Sequence, residues 1–373
     1  MNARERFLET MLFGSPDKIP FRPGWGREST VERWAKEGMP KGMSQRAAIC
    51  EAVGIKDDIT KPVFDFGINF KPLPPFEEKI LKHENGHYIV QDAYGAVIEM
   101  ADNFDITYLR EAKDFVTRKY HKFAVENEKD WEGMKKRLDA SSPERLPEDF
   151  EKRCAEIKKR DYPVTLNASG PFWALRDFCG MEGLCFMMVE KPELVKAMAD
   201  HWSEFVLSLM EKVLSKTDID MFHISEDMAY KEKSMISPAM CREFLMPVWK
   251  RWGSALKGKC PIYAVDSDGD VEELIPLWIE AGLNACDPLE VAAGNDINKY
   301  RKMFGKNMAF IGGVDKREMA KGGKNIAVEL NRLSPVIKDG GYIPSCDHGV
   351  PPDVSWPAFV EYGKLLAKAT GWK

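Results

Sequence analysis

The sequence has no run of about 18 apolar residues, and its opening stretch, MNARERFLETMLFG, is charged and amphipathic. Neither a membrane span nor a signal peptide is therefore expected. The eight cysteines (50, 154, 179, 185, 241, 260, 286 and 346) never form a CxxC pair, which argues against a disulfide framework and for a reducing cytoplasm. There is no basic excess: 54 Lys+Arg stand against 59 Asp+Glu, a formal charge of −5, so a general nucleic-acid binder is excluded. No GxGxxG opens a helix, no GxxxxGK[ST] occurs, and no 20–50-residue repeat is present, which disfavours a Rossmann dehydrogenase, a P-loop enzyme and a solenoid.

What the sequence does have is a bulky, ordinary globular composition. Hydrophobic residues make up 44% and charged residues 30%, and 19 methionines add soft, adaptable side chains. The 373 residues suit one large α/β domain. From 160 onward, short apolar runs ending in small and polar residues recur: 163–172, 220–230, 260–270, 285–292, 308–316 and 340–350. Helical stretches separate them, including Pro192–Lys212, Pro238–Leu256, Val271–Ala281, Ile297–Met303 and Ala327–Lys338. Two earlier runs, Ile19–Phe21 and 60–70, bring the strand count to eight. Alternating strands and helices with continuously apolar strands predict a parallel sheet, and eight units predict a (β/α)8 TIM barrel. The reading is a single domain over 1–373. Helices at Ala3–Met11 and Thr30–Glu37 come first, and 72–160 is an insertion with a β-hairpin near 87–102 and charged outer helices over 123–160.

A barrel carries its active site at the C-terminal strand ends. Those ends offer Trp25 and Arg27, then Asp65 and Asn69, then Asn167 and Ser169. His223, Glu226, Asp227 and Tyr230 follow the fourth strand, and Asp266, Asp268 and Asp270 the fifth. The last three supply Asp287 and Glu290, Asp315, and Cys346, Asp347 and His348. The mouth is thus strongly acidic in a nearly neutral chain, and converging carboxylates need a cation or shared protons. His, Cys and carboxylates together form a donor set for zinc, with His223, Glu226, Asp266, Asp268, Cys346 and His348 as candidate ligands. Some of these acids have a plainer role; Asp270 before VEELI reads as a helix cap. Trp25, Phe66, Phe172, Trp173 and Tyr230 are candidates for an apolar substrate wall, with Asn167 as a polar contact, although each aromatic is also suited to a core. His83, His87, His121 and His201 lie in charged or amphipathic segments and read as surface residues.

Several stretches, taken in order, resemble the uroporphyrinogen decarboxylase superfamily. They are PDKIPFRPGWGR, EDMAYKEKSMISPAMCREFLMPVWKR, VDSDGDVEELIPLWIEAGLNACDPLEVAAG, IGGVDKREMAKG and GGYIPSCDHGVPPDVSW. The resemblance runs essentially the length of the chain and is most specific in the C-terminal half. It is similar in particular to the corrinoid-dependent methyltransferase branch. There are departures. The decarboxylase's RQAGR signature reads RPGWGR, keeping Arg27, and the HxC pair and final Cys of the thiol-activating methyltransferases read Asp266-Ser267-Asp268 and His348. The resemblance implies methyl transfer from a methoxylated, aromatic compound to the cobalt of a corrinoid on a separate protein, because no DxHxxG corrinoid module occurs here. Glu226, Asp268, His348 and Arg27 would be the catalytic groups, with zinc or a general acid activating the ether oxygen. Two other readings stay open: a decarboxylase for a carboxylated substrate, and a non-catalytic barrel binding protein. A small-molecule methyl donor, a corrinoid-protein partner and a homodimer are compatible with the sequence; nucleic acid and membrane are not expected.

Overall fold

The computed structural model describes residues 1–56, 64–102 and 118–373. Ten strands form two sheets. The first is an antiparallel meander of β1 (Lys79–Glu84), β2 (His87–Gln91), β3 (Val97–Ala101) and β4 (Lys119–Lys122). The second is parallel, with β5 (Thr165–Ser169), β6 (Met221–Ser225), β7 (Ile262–Asp266), β8 (Ala285–Leu289), β9 (Ala309–Val314) and β10 (Tyr342–Cys346) side by side in chain order. Sequential parallel strands joined through helices are the α/β-barrel arrangement.

Why these runs form strands is visible in their burial. Phe222 and Ile224 of β6 are fully buried, while the alternating His223 and Ser225 face the barrel interior. On β5, Leu166 and Ala168 are buried and Asn167 is open. The two-residue period therefore sets apolar side chains against the outer helices and polar ones in the lumen. The helix Pro192–Leu214 shows the complementary period. Val195, Met198, Trp202, Phe205, Leu209 and Val213 form one buried stripe along it.

Two of the eight expected strands differ from the sequence reading. Residues 19–27 form no regular strand. They run beside the end of β10, where Val350 N–H donates to Trp25 O at 2.8 Å and Gly26 bridges Val350 in parallel. Gly24 makes this closeness feasible: its φ is +99°, and a Cβ there would lie 2.8 Å from Cys346 Cβ. Of the run 60–70, residues 60–63 lie outside the described residues, and 64–70 carry no ladder. The end of this segment borders β5, lining a cavity together with Asn167 and Ser169. Pro20 and Pro23 lack the N–H a ladder needs, and Gly67, at a φ of +71°, departs from extended backbone.

The hairpin expected near 87–102 is present as β2 and β3, but it belongs to a four-stranded sheet whose other strands are β1 and β4. Of the charged stretch 123–160, the helices Glu128–Arg137 and Phe150–Glu156 bury Trp131, Met134, Phe150 and Cys154. They are amphipathic elements packed on the core rather than wholly solvated ones.

Candidate active site

Register builds the site. Ser169 pairs with Ser225, Ser225 with Asp266, and Asp266 with Asp287, so four adjacent strands present one polar row at their C-terminal ends. One layer deeper, Asn167 pairs with His223, and His223 with Ala264. His223 Nε2 lies 2.9 Å from Asp287 Oδ1, bridging the two layers. Burial and the neighbouring Asp287 charge push the Asp266 carboxyl up to about 7. Burial alone would lower His223, but the charge and hydrogen bond of Asp287, with Asp266 adding, more than offset it, and the net shift is upward. The Asp287 charge thus favours the protonated forms of both His223 and Asp266.

A second pair sits at the rim. Arg27 donates to His348 Nδ1 at 3.3 Å, and His348 Nε2 faces Asp268 Oδ2 at 3.4 Å. In the neutral ring the proton thus belongs on Nε2. The Asp268 hydrogen bond raises the proton affinity of His348 against its partial burial. Trp25 (60% exposed) and Tyr230 (52% exposed) stand at the same rim as open aromatic surfaces.

Glu226 behaves differently from its neighbours. It is fully buried and ties three elements together: Phe172 and Trp173 N–H donate to Oε2 at 2.9 and 3.2 Å, and the Trp249 indole donates to Oε1 at 2.5 Å. Burial pushes its carboxyl up to about 8 in spite of these donors. Gly170 is required beside it, since a Cβ there would fall 2.1 Å from the carboxyl carbon. Glu226 is thus a clamp on the start of the helix Pro171–Cys179.

The candidate metal ligands do not gather. Among the described residues, no group of three or more His, Cys, Asp or Glu side chains is arranged to hold a metal ion. The reasons are local. Both Glu226 oxygens already accept N–H groups, both His348 nitrogens have partners, and burial drives the Cys346 thiol up to about 12, away from the thiolate a metal needs. The predicted zinc set does not fit this geometry as a set. Two members of the predicted wall are also core: Phe66 is 2% exposed and meets Phe64 edge-on at 5.0 Å, and Phe172 is 0% exposed. Trp173 stays near the site, its indole donating to Asp177 at 2.9 Å.

Four residues carried weaker sequence signals. Asp287 was one strand end among many, and only the register places it against His223. Arg22, five residues before Arg27, contributes a positive field at His223. Asp177 and Tyr94 line a cavity of about 370 Å³ with Asn167, Ser169 and Ser225. Asp177 is on a helix and Tyr94 on the inserted hairpin, so no strand-end rule reaches them.

A model of the uroporphyrinogen decarboxylase (URO-D) family matches residues 119–359, well over half of the chain. The chain belongs to the uroporphyrinogen decarboxylase family. No curated protein matches it. Among solved structures, it is similar to a methyltransferase from Methanosarcina mazei, with a TM-score of 0.59 and 14% identity over 99% of this chain and 98% of that one. A B12-independent methionine synthase from Shewanella sp. W3-18-1 in complex with selenomethionine gives a TM-score of 0.43, at 13% identity over 95% and 97%. The first of these places the family's α/β-barrel fold over the whole chain. At the mouth Asp266, Asp268, Asp287 and Glu290 stand with Arg22, Arg27 and Lys316, and Lys316 pairs with Glu290 at 3.2 Å. No described helix is long and apolar enough to cross a membrane.

Proposed function

We propose that this chain is a methyltransferase that moves the methyl group of a methoxylated aromatic compound to the cobalt of a corrinoid held by a separate protein. The observation that supports this reading best is the Asp266 carboxyl on the lumen face, pushed up to about 7 beside the hydrogen-bonded pair His223 and Asp287. A methyl ether is inert because an alkoxide or phenoxide leaves poorly, and a positioned acid removes that obstacle. Asp266 holds a proton near neutral pH. It gives that proton to the ether oxygen as the methyl–oxygen bond breaks, and the demethylated hydroxyl compound leaves. The corrinoid supplies the nucleophile and keeps the methyl group, so one proton and one ether yield one hydroxyl compound and one methylated cobalt. His223 then returns a proton to Asp266 and is itself reprotonated from solvent, with the Asp287 charge favouring both protonated forms. No step is assigned to zinc, because the donors do not fit it as a set. Asp268, His348 and Arg27 form a hydrogen-bonded rim that orders the approach to the lumen.

A decarboxylase acting on a carboxylated substrate is the second reading. It draws on Arg22 and Arg27, cations that stand by His223 and His348 and would hold a carboxylate. The test supplies the purified chain with a reduced corrinoid protein and a methoxylated aromatic, and follows the methylated-cobalt spectrum. Methylation only when all three are present is the expected result, with His348→Ala slowed. Carbon dioxide released from a carboxylated substrate by the chain alone would replace the proposal with the decarboxylase.

A further inference from the structure

The cavity beside the polar row has a wall of unusual composition. Phe70, Phe178 and Trp202 supply aromatic surface, and Asp177 is the carboxylate among them. Asp177 is exposed by area yet enclosed by protein, which means that its surface faces the cavity. The Trp173 indole donates to Oδ2 at 2.9 Å, and among the described residues no hydrogen bond is made to Oδ1. The neighbouring cation, Arg176, is committed to Asp227, contacting its carboxylate at 3.0 Å and its backbone oxygen at 2.6 Å. Burial pushes the Asp177 carboxyl up to about 6, so at neutral pH it is ionised and short of water, a strong acceptor looking for a donor.

The position of Asp177 gives the cavity a direction. Ser225, at one end, is the register partner of Asp266, one strand spacing of about 4.8 Å away. Asp177 lies six residues beyond Pro171 on the helix Pro171–Cys179, about 9 Å along its axis from the strand end. Asp177 and Ser225, the strand neighbour of Asp266, thus both line one aromatic-walled space. Lys71 and Arg176 beside it disfavour a cationic ligand.

We infer that this cavity is the substrate ring site, and that Asp177 selects rings carrying a neutral hydrogen-bond donor, such as a hydroxyl, on the side away from the methoxy group. The inference rests on the function proposed above for the choice of a methoxylated ring, but the recognition itself needs no turnover. Asp177 is a specificity-determining residue; it does not donate the reacting proton. A ring with its hydroxyl para or meta to the ether reaches Asp177, whereas an ortho hydroxyl points back toward the polar row.

Binding is measured by calorimetry with no corrinoid present, using 4-methoxyphenol, 2-methoxyphenol, methoxybenzene and phenyltrimethylammonium. The wild-type chain is expected to bind 4-methoxyphenol about tenfold tighter than methoxybenzene, the effect of one hydrogen bond to a charged acceptor. Asp177→Ala brings the two ligands to parity. If that variant folds poorly, the wild type supplies the same answer through pH, because the preference disappears as pH falls below about 6 and Asp177 becomes protonated. Equal binding of the two ligands, a preference for the ortho isomer, or tighter binding of the ammonium compound would each overturn the inference. A hydroxyl preference without methyl transfer would leave the ring site standing and remove only the proposed reaction.

Discussion

At the scale of single residues, the acid that matters most is Asp266. Its neighbours Asp268 and Glu226 have the same chemistry and different surroundings. Asp268 is 41% exposed and opposes His348, and Glu226 is sealed beneath a helix start. Asp266 alone combines an open lumen position with a carboxyl pushed up to about 7 by burial and by Asp287. A general acid works in its protonated form, so methyl transfer should decline as pH rises through about 7. Asp266→Asn should lower kcat roughly 10²–10³-fold and flatten that decline, because the amide cannot titrate. The kcat–pH profiles of the two proteins check this. An unchanged profile in the variant would move the acid elsewhere. Sequence reading reached Asp266, Asp268, His223 and His348 through their strand-end positions. It could not rank them, since ranking depends on which neighbours the register brings within about 3 Å.

Elements explain what the sequence made visible and what it hid. The six regular strands announced themselves as short, mainly apolar runs because one face packs on the outer helices and the other is largely enclosed in the lumen, and each is present within the expected range. The first strand was less legible since Gly24, Trp25 and Gly26 are shaped by their contact with β10 and Val350, far along the chain. The same limit applies to Glu226. Its sequence context suggested catalysis, but Phe172, Trp173 and Trp249 occupy both its oxygens. The consequence is measurable. Glu226→Ala leaves two helix-start N–H groups and an indole without an acceptor, at a cost of about 3 kcal/mol or more. The midpoint of urea denaturation should fall accordingly. The helix Pro171–Cys179 carries Trp173 and Asp177, so binding at the adjacent cavity should weaken as well. A variant as stable as the wild type would show that the clamp is dispensable.

For the molecule as a whole, the question is how a nucleophile carried by another protein reaches an ether inside the barrel. The lumen opens at a rim where Trp25 and Tyr230 stand 60% and 52% exposed, with Asp268, His348 and Arg27 between strand ends. Two folded proteins meeting there with a cofactor between them make a transient contact, at the low end of interface areas. The chain carries five more acidic than basic charges, and at the mouth the partly exposed Asp268 stands with Asp287, while Asp266 holds its proton and Glu290 pairs with Lys316 at 3.2 Å. A complementary partner surface is therefore basic, and attraction between exposed charges is screened over about 8–10 Å at 0.1–0.15 M salt. Raising the salt from 0.05 to 0.5 M should slow methyl transfer at limiting partner concentration by about tenfold. The rate at saturating partner should stay nearly constant, because salt acts on encounter and not on the buried acid. Asp268→Asn should lessen the salt dependence of the limiting rate, as one rim charge is removed. Stopped-flow traces of methylated-cobalt formation across the salt series separate the two rates. A limiting rate indifferent to salt would mean that shape and the two rim aromatics, rather than charge, bring the partner to the mouth.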